Sequence, residues 1–334
     1  MVRVTRMVIS ARLQTVIQAS ITSSELEHWF TAPHSQLEML YSEAQRITEH
    51  HFKRQITLYT PGKHFPSISI TGDQCQLQCR HCAGYFLQHM HALTQPNELL
   101  SFCQELAEDG GTGCLISGGC RPDGTIPFQP FLPALSQIKA TTNLFLNVHT
   151  GFLTSAEAQE LGNTGMDCAS VDVVGNEDTI HSIYGLSHRS TRDYEMTLQA
   201  LKTSRVPIAP HICVGLYHGS LHGELRALRL IHSILQPHVL VLIAFMPTKG
   251  TAMVDDSPAQ PEDVAKICAL ARLLFPQTHI ALGCMRPGGT LRPKTEELVI
   301  RAGATRLVQP TRASRKLLQD NGFTIRTKRA CCVV

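Results

Sequence analysis

Residues 67–82 read Ser-Ile-Ser-Ile-Thr-Gly-Asp-Gln-Cys-Gln-Leu-Gln-Cys-Arg-His-Cys. A short apolar run at 67–71 leads directly into a loop that contains Cys75, Cys79 and Cys82. The spacing C-x3-C-x2-C places three thiolates in one short loop, where they can hold three corners of a cubane iron–sulfur cluster. The fourth iron then has no protein ligand and stays open to a substrate or cofactor. The segment therefore predicts a strand that ends at a reactive metal centre.

A structural zinc site is the main alternative for these cysteines. Such sites usually take four ligands in paired C-x2-C units, and only Cys79 and Cys82 have that spacing. His81 is available as a fourth ligand, but it lies between two cysteines in a cramped loop. Cysteines that serve only as small buried apolar residues would not need this spacing. We therefore prefer the iron–sulfur interpretation.

The run at 67–71 is the first of eight short apolar runs along the chain. The others lie at residues 114–118, 144–149, 169–174, 208–216, 240–245, 279–285 and 306–309. Segments with helical periodicity lie between most of them. This alternation is typical of a parallel sheet covered by helices. Eight units over about 250 residues favour a closed α/β fold of the (β/α)8 TIM-barrel type. A partial barrel or an open doubly wound sheet would produce a similar pattern.

The fold prediction divides the chain into three parts. Residues 1–55 are predicted to form an N-terminal helical extension, residues 56–320 the barrel, and residues 321–334 a C-terminal tail. Active sites of such barrels lie at the carboxyl ends of the strands. Polar and glycine-rich residues follow the predicted strands at that end, among them Ser117, Gly118, Gly119, Cys120, His149, Asp172, Met246 and Cys284.

The composition excludes several classes of protein. Hydrophobic residues make up 43% of the 334 residues and charged residues 17%, so a sizeable core is expected. A net charge of +3 does not suggest the concentrated basic face of a nucleic-acid-binding protein. We find no apolar run long enough to span a membrane and no signal peptide. The expectation is a cytoplasmic protein that binds neither nucleic acid nor membrane.

Twelve cysteines are many for a chain of this length. Cytosolic proteins rarely use cysteines as a disulfide framework, so metal binding or simple burial is expected. Cys120 and Cys284 follow predicted strands, while Cys331 and Cys332 lie in a tail that can fold back over the barrel mouth. Together these four can hold an auxiliary iron–sulfur cluster, with Cys213 in reserve. The alternatives are buried structural cysteines and, for the last pair, a prenylation signal.

The cysteine triplet resembles that of the radical S-adenosylmethionine (SAM) superfamily, whose members carry C-x3-C-φ-C after the first barrel strand. The position φ, usually aromatic, is His81 here. The resemblance implies a [4Fe-4S] cluster on Cys75, Cys79 and Cys82 whose open iron binds SAM. Reductive cleavage of SAM would give a 5′-deoxyadenosyl radical that abstracts hydrogen from the substrate, so the cofactor carries the difficult chemistry.

The same resemblance implies a set of cofactor-binding residues. They are His81, Ser117, Gly118, Gly119, His149, Asp172, Gly215 and Met246. The family's turn after the second strand ends in an acidic residue, whereas this chain has Cys120 there. Simpler roles remain open for some of them, because the glycines suit any tight turn and Asp172 can cap a helix.

From residue 67 onward the chain resembles the biotin synthase and lipoyl synthase branch, most closely the archaeal-type two-protein lipoyl synthases. The similarity lies at residues 116–119, 147–151, 171–175, 210–212, 215–216 and 283–287, and in the paired cysteines near residue 334. It implies sulfur insertion into a protein-bound octanoyl chain, with sulfur supplied by the auxiliary cluster.

This resemblance also implies partners. They are an octanoylated lipoyl-carrier protein or peptide, a second lipoyl synthase component, and a reductant such as ferredoxin or flavodoxin. The second component is expected because no cysteine precedes Cys75, unlike in single-protein lipoyl synthases. A radical SAM methylase or cofactor-biosynthesis enzyme related to biotin synthase is the alternative. The non-enzymatic alternative is an iron–sulfur scaffold or electron carrier.

Overall fold

A computed structural model describes residues 21–334, and the first 20 residues of the predicted extension lie outside this part. The centre of the molecule is a parallel sheet. Its strands are β1 (Gln55–Tyr59), β2 (Ser67–Ser69), β3 (His91–Ala92), β4 (Gly113–Ser117), β5 (Phe145–Thr150), β6 (Cys168–Asp172), β7 (Ile208–Val214), β8 (Val239–Ala244), β9 (His279–Leu282), β10 (Arg306–Val308) and β11 (Thr324–Lys328).

Helices follow most strands and cover the outside of the sheet. They are α1 (Ser23–Thr31), α2 (Leu37–Phe52), α3 (Pro96–Glu108), α4 (Leu132–Thr141), α5 (Ser155–Asn163), α6 (Thr191–Ser204), α7 (Glu224–Ile234), α8 (Pro261–Leu274), α9 (Leu291–Arg301) and α10 (Arg312–Asp320). A π-helical turn at Thr179–Ile183 lies between β6 and α6. No helix within residues 21–334 has the length and apolar character needed to cross a membrane.

The sheet order is β11-β1-β10-β9-β8-β7-β6-β5-β4-β2-β3, and the strands pair in parallel. The eight predicted strands are β2 and β4 to β10, so the predicted α/β barrel fold is confirmed. The sheet curls without closing, because β11 and β3 end the strand order in the described part of the chain. Two strands extend beyond the predicted barrel limits: β1 starts at Gln55, and β11 lies within the predicted tail.

Side chains of the strands alternate between two apolar regions, as the strand period of two requires. Ile116 and Val148 point outward into the layer between sheet and helices. Leu115 and Cys168 point inward and belong to a second, smaller cluster within the barrel. Polar residues also face the interior, where the Ser170 hydroxyl donates a 2.8 Å hydrogen bond to Oδ1 of Asn147.

Residues 330–334 fill the inside of the barrel at the end opposite the strand carboxyl ends. Ala330, Cys332 and Val333 pack there with Phe145 and Val239, the first residues of β5 and β8. This corrects the expected position over the barrel mouth. The physical reason is the open edge at β11, which lets the chain turn inward instead of passing over the top.

Helices α1 and α2, which precede β1 in the described part of the chain, pack against α8. The ammonium group of Lys266 in α8 donates to the carbonyl oxygens of Phe30 and Ala32, at 3.0 and 2.9 Å. Tyr41 of α2 adds a 3.3 Å hydrogen bond to the carbonyl oxygen of Glu262. This attachment lies on the outside of the sheet, away from the strand ends that carry the candidate site.

Candidate active site

The cysteine loop follows β2 at the carboxyl end of the sheet. Within it, the amide groups of Cys82 and Ala83 both donate to the carbonyl oxygen of Cys79, at 3.1 and 2.8 Å. Ala83 has a φ of 44° and Gly84 a φ of 77°, so the chain reverses within two residues. Arg80 ties the loop to the π-helical turn through a 2.8 Å bond from its amide to the carbonyl oxygen of Ile183. The backbone thus turns the three thiols toward one side.

Gly119, just after β4, allows the cysteine loop to approach closely. A Cβ at this position would lie 1.9 Å from the carbonyl oxygen of Gln74 and 2.7 Å from Cα of Cys75. The amide of Gly119 donates a 2.6 Å hydrogen bond to Thr71 Oγ1, and the amide of Gln76 donates to the carbonyl oxygen of Cys120 at 2.9 Å. A glycine is therefore needed here for contact between two backbones, beyond any need of a tight turn.

The thiols of Cys79 and Cys82 interact with each other. The Cys79 thiol donates to Cys82 and lowers the pKa of Cys82 to about 7, against the opposing effect of burial. The same hydrogen bond, together with burial, raises the pKa of Cys79. A thiolate is the form that binds iron, so the loop favours the ligating form of Cys82.

His81 occupies the φ position and lies against Tyr184, with ring centroids 5.2 Å apart in an edge-to-face arrangement. Burial lowers the pKa of His81 to about 4, so the ring is neutral at physiological pH. Its buried Nδ1 has no hydrogen-bond partner among residues 21–334. His81 therefore serves as an aromatic packing residue in this structure, the role that an aromatic side chain at φ would have.

A cavity of about 360 Å³ lies at the carboxyl ends of the strands and is lined by all three cysteines of the triplet. From the predicted set it also contains His81, Gly118, Gly119, Cys120, Asp172 and Met246. Cys213, the reserve ligand, lines it as well. Much of the remaining wall is apolar or aromatic and includes Phe86, Leu87, Phe152, Leu186, Phe245 and Met285. The arrangement combines a sulfur-rich corner with an apolar chamber large enough for a small ligand.

The triplet fits an iron–sulfur cluster better than a single metal ion. Within residues 21–334 no group of three or more His, Cys, Asp or Glu side chains is close enough together to hold one ion. A cubane cluster is larger, because each cysteine binds a different iron. Three thiols from one loop that border a single cavity meet this requirement.

Comparison with known proteins supports the same conclusion. The chain is 25% identical to biotin synthase of Erwinia tasmaniensis over 291 residues, 85% of this chain and 80% of the relative. It is 26% identical to biotin synthase of Syntrophotalea carbinolica over 262 residues, which are 76% of this chain and 78% of the relative. The chain is a radical SAM enzyme related to the biotin synthases. No family profile matches it.

Solved structures agree on the fold of this radical SAM enzyme. Methylornithine synthase has a TM-score of 0.68 at 16% identity, covering 93% of this chain and 95% of that one. The [FeFe]-hydrogenase maturase HydG from Carboxydothermus hydrogenoformans has a TM-score of 0.67 at 16% identity, and the match covers 97% of this chain and 80% of HydG. At such identities the likeness concerns the architecture alone.

Three predicted cofactor-binding residues lie outside the cavity wall of the radical SAM site. The Ser117 hydroxyl donates to the carbonyl oxygen of His149 at 3.0 Å and thereby joins β4 to β5. Gly215 has a φ of 72°, and its amide donates to Oε1 of the buried Glu224 at 2.8 Å. His149 itself lies beneath the cavity, 3.6 Å from Asp172.

His211 and Tyr184 are two residues of the site that sequence reasoning did not identify. His211 packs edge-to-face on His149, with ring centroids 5.1 Å apart, and burial lowers its pKa to about 4. Tyr184 follows the π-helical turn and lines the cavity. The sequence contains a signal for His211, because this residue lies two positions before Cys213 on β7 and so faces inward as Cys213 does. Tyr184 has no such signal, because it lies in a connection without a periodic pattern.

The four predicted auxiliary cysteines separate into two groups. Cys120 lines the cavity beside the triplet, and burial followed by the proximity of Cys75 raises its pKa to about 12. Cys331 and Cys332 lie in the lower part of the barrel, and Cys331 is close enough to contribute to the raised pKa of Cys284. The structure therefore does not bring Cys120 together with the other three.

Proposed function

We propose that this radical SAM enzyme inserts sulfur into a protein-bound octanoyl chain, as one component of a two-protein lipoyl synthase. One observation supports the proposal. A single cavity contains both the cysteine triplet and an apolar wall, and further cysteines lie deeper in the same barrel. A bound [4Fe-4S] cluster and SAM would supply a 5′-deoxyadenosyl radical, and an auxiliary cluster would supply sulfur.

The chain's own residues are suited to two tasks. Cys75, Cys79 and Cys82 would hold the cluster, while Gly118 and Gly119 border the same cavity next to it. Phe152 and Phe245 form part of an apolar wall along which an aliphatic chain can lie and from which water is excluded. Exclusion of water protects a reactive radical from side reactions.

Partners follow from the proposal. An octanoyl group on a carrier domain or peptide would enter through the cavity at the strand carboxyl ends. A second lipoyl synthase component would complete the reaction, and ferredoxin or flavodoxin would deliver electrons to the cluster.

A radical SAM methylase or another cofactor-biosynthesis enzyme is the second candidate, and one observation favours it. Asp172 exposes 41% of its side chain although it lies inside the barrel, and His149 and His211 lie beside it. A polar floor of this kind suits a substrate that carries a hydrogen-bonding group better than a purely aliphatic chain.

Anaerobic reconstitution with SAM, dithionite and an octanoylated carrier peptide tests the proposal, with and without the second component. We expect 5′-deoxyadenosine together with a sulfur-dependent mass gain on the peptide, and about eight irons per chain if two [4Fe-4S] clusters are bound. Cys79→Ala is the matched control and should abolish both products. Deoxyadenosine without any mass gain would contradict sulfur insertion and favour the second candidate.

A further inference from the structure

Tyr194 places a phenol hydroxyl in a largely apolar part of the cavity wall. The residue belongs to the first turn of α6 and lines the cavity together with Phe152 and Leu186. Only 5% of it is exposed, so its accessible surface faces the cavity and not the bulk solvent. The hydroxyl has no hydrogen-bond partner within residues 21–334, and it is not among the unpartnered polar atoms that packing closes off completely. It therefore points into the cavity.

An unpartnered hydroxyl is unusual for a tyrosine that is buried to this extent, because buried polar groups normally form hydrogen bonds. The two other tyrosines buried within residues 21–334 follow the rule. The hydroxyl of Tyr41 donates to the carbonyl oxygen of Glu262 at 3.3 Å, and that of Tyr59 donates to the carbonyl oxygen of Val334 at 2.9 Å. Burial raises the pKa of Tyr194, so its hydroxyl keeps its proton and is able to donate. The missing partner is therefore expected on a bound ligand.

The neighbours of Tyr194 fix the position of its ring before any ligand binds. Phe152 packs edge-to-face against it, with ring centroids 4.8 Å apart, and the guanidinium of Arg189 lies 4.8 Å from the centroid of the Phe152 ring. Arg189 also donates a 2.8 Å hydrogen bond to Asp193, which accepts from the amide of Ser190 at 2.8 Å and so caps the start of α6. A donor held in this way loses little conformational entropy when it binds a ligand.

The charge of the surrounding wall indicates which kind of ligand atom this hydroxyl meets. A phenol donor needs an acceptor on the ligand. An anionic acceptor is disfavoured, because no lysine or arginine of residues 21–334 lines the cavity whereas the carboxylate of Asp172 does. His81 adds no positive charge, since burial lowers its pKa to about 4. With Phe152 and Leu186 beside the hydroxyl, the wall suits a neutral carbonyl oxygen on an otherwise aliphatic group.

We propose that the Tyr194 hydroxyl donates a hydrogen bond to the carbonyl oxygen of a neutral acyl substrate and so selects an acylated chain over a plain hydrocarbon. Apolar walls alone discriminate poorly between aliphatic groups, whereas a buried donor that is left unpaired penalises a ligand without an acceptor. Tyr194 is in this respect a specificity-determining residue. The identity of the chain as octanoyl rests on the proposed function, whereas the need for a neutral acceptor does not.

The test uses Tyr194→Phe, which removes the oxygen and keeps the ring. Reconstituted enzyme is saturated with SAM without reductant, and binding of N-methyloctanamide and of octane is measured by displacement of a fluorescent apolar dye. We expect the variant to bind the amide about threefold to tenfold more weakly than wild type and to bind octane equally well. Tyr41→Phe is the matched control, because its hydroxyl bonds a backbone carbonyl outside the sheet. It should leave the binding of both probes unchanged and lower the melting temperature, whereas Tyr194→Phe should not lower it.

Three results would overturn the proposal. They are no binding of N-methyloctanamide to the wild-type enzyme, equal binding of this amide to wild type and Tyr194→Phe, and weaker binding of SAM by the variant with amide binding unchanged. The last result would assign the hydroxyl to the cofactor. The proposed function has a separate readout in the mass of the octanoylated peptide. Amide binding that depends on Tyr194, without a sulfur-dependent mass gain, would retain this inference and refute the proposed function; a mass gain with equal amide binding would do the reverse.

Discussion

Nε2 of His149 lies 3.6 Å from Oδ1 of Asp172, inside the barrel where β5 and β6 run side by side. Burial acts to lower the pKa of His149, but the carboxylate of Asp172 reverses this and raises the pKa above its usual value. Burial acts to raise the pKa of Asp172, and the imidazole of His149 instead holds it below the usual range. The two side chains thus stabilise each other's charged forms beneath the cavity.

Asp172→Asn should lower the pKa of His149 and reduce the free energy of unfolding by an amount that depends on pH. A histidine with a raised pKa in the folded state contributes stability at low pH, and this contribution disappears as the pH rises through that pKa. The difference in unfolding free energy between wild type and variant should therefore be largest at about pH 6 and shrink toward pH 9. We expect about 1 kcal/mol or less, since Asp172 is 41% exposed.

Urea unfolding of the apoprotein across this pH range measures the effect, and a nuclear magnetic resonance titration of His149 measures its pKa directly. A stability difference that grows with rising pH would contradict the ion pair. Deoxyadenosine formation by the reconstituted variant then shows whether the carboxylate also takes part in turnover.

Gly119→Ala should displace the cysteine loop. The added methyl group would lie 1.9 Å from the carbonyl oxygen of Gln74, a backbone atom that cannot rotate away. We expect a destabilisation of about 1–3 kcal/mol, typical of overpacking, and reduced iron binding by the triplet. Gly288→Ala is the matched control, because apart from its chain neighbours no heavy atom of residues 21–334 lies within 4 Å of a Cβ at that position. Equal iron content in both variants would refute the close approach.

His81→Phe should preserve the cysteine loop and raise the stability of the protein. The phenyl ring retains the edge-to-face contact with Tyr184, and the substitution removes a buried Nδ1 that has no partner in the described part of the chain. Removing an unsatisfied buried polar atom contributes about 1–3 kcal/mol. Melting temperature and iron content check this. A lower melting temperature or loss of iron would show that the imidazole nitrogen has a partner in the loaded enzyme.

Glu296→Gln should destabilise the barrel strongly. Arg286 and Glu296 form a fully buried ion pair with an N–O distance of 2.5 Å, and the other carboxylate oxygen accepts from Thr311 and Ser314. Breaking such a pair leaves an uncompensated buried charge and costs about 3–5 kcal/mol.

Asp320→Asn is the control for this prediction, since its ion pair with Lys316 is exposed and should contribute less than about 1 kcal/mol. Chemical denaturation of both variants gives the two values. Similar losses of stability would mean that burial does not strengthen the Arg286 pair.

The eight main strands were predictable because each is a short apolar run that leads into or follows a helix. β1, β3 and β11 were not among the predicted runs. For β3 and β11 the reason is physical. β11 is basic and largely exposed, and β3 has only two residues, both exposed. Such segments become strands through pairing with a neighbour, β1 in one case and β2 in the other. Their own composition contains little information on this outcome.

The chemistry of the triplet was determined by the sequence alone. Cys75, Cys79 and Cys82 lie within eight residues, so the backbone of one loop brings them together whatever the rest of the fold does. The placement of the other cysteines was decided by the tertiary structure. Sequence spacing cannot show that Cys120 borders the same cavity as the triplet while Cys331 and Cys332 lie at the other end of the barrel, because these positions depend on strand order and on the open edge of the sheet. Only a folded barrel makes residues far apart in the chain into neighbours across its interior.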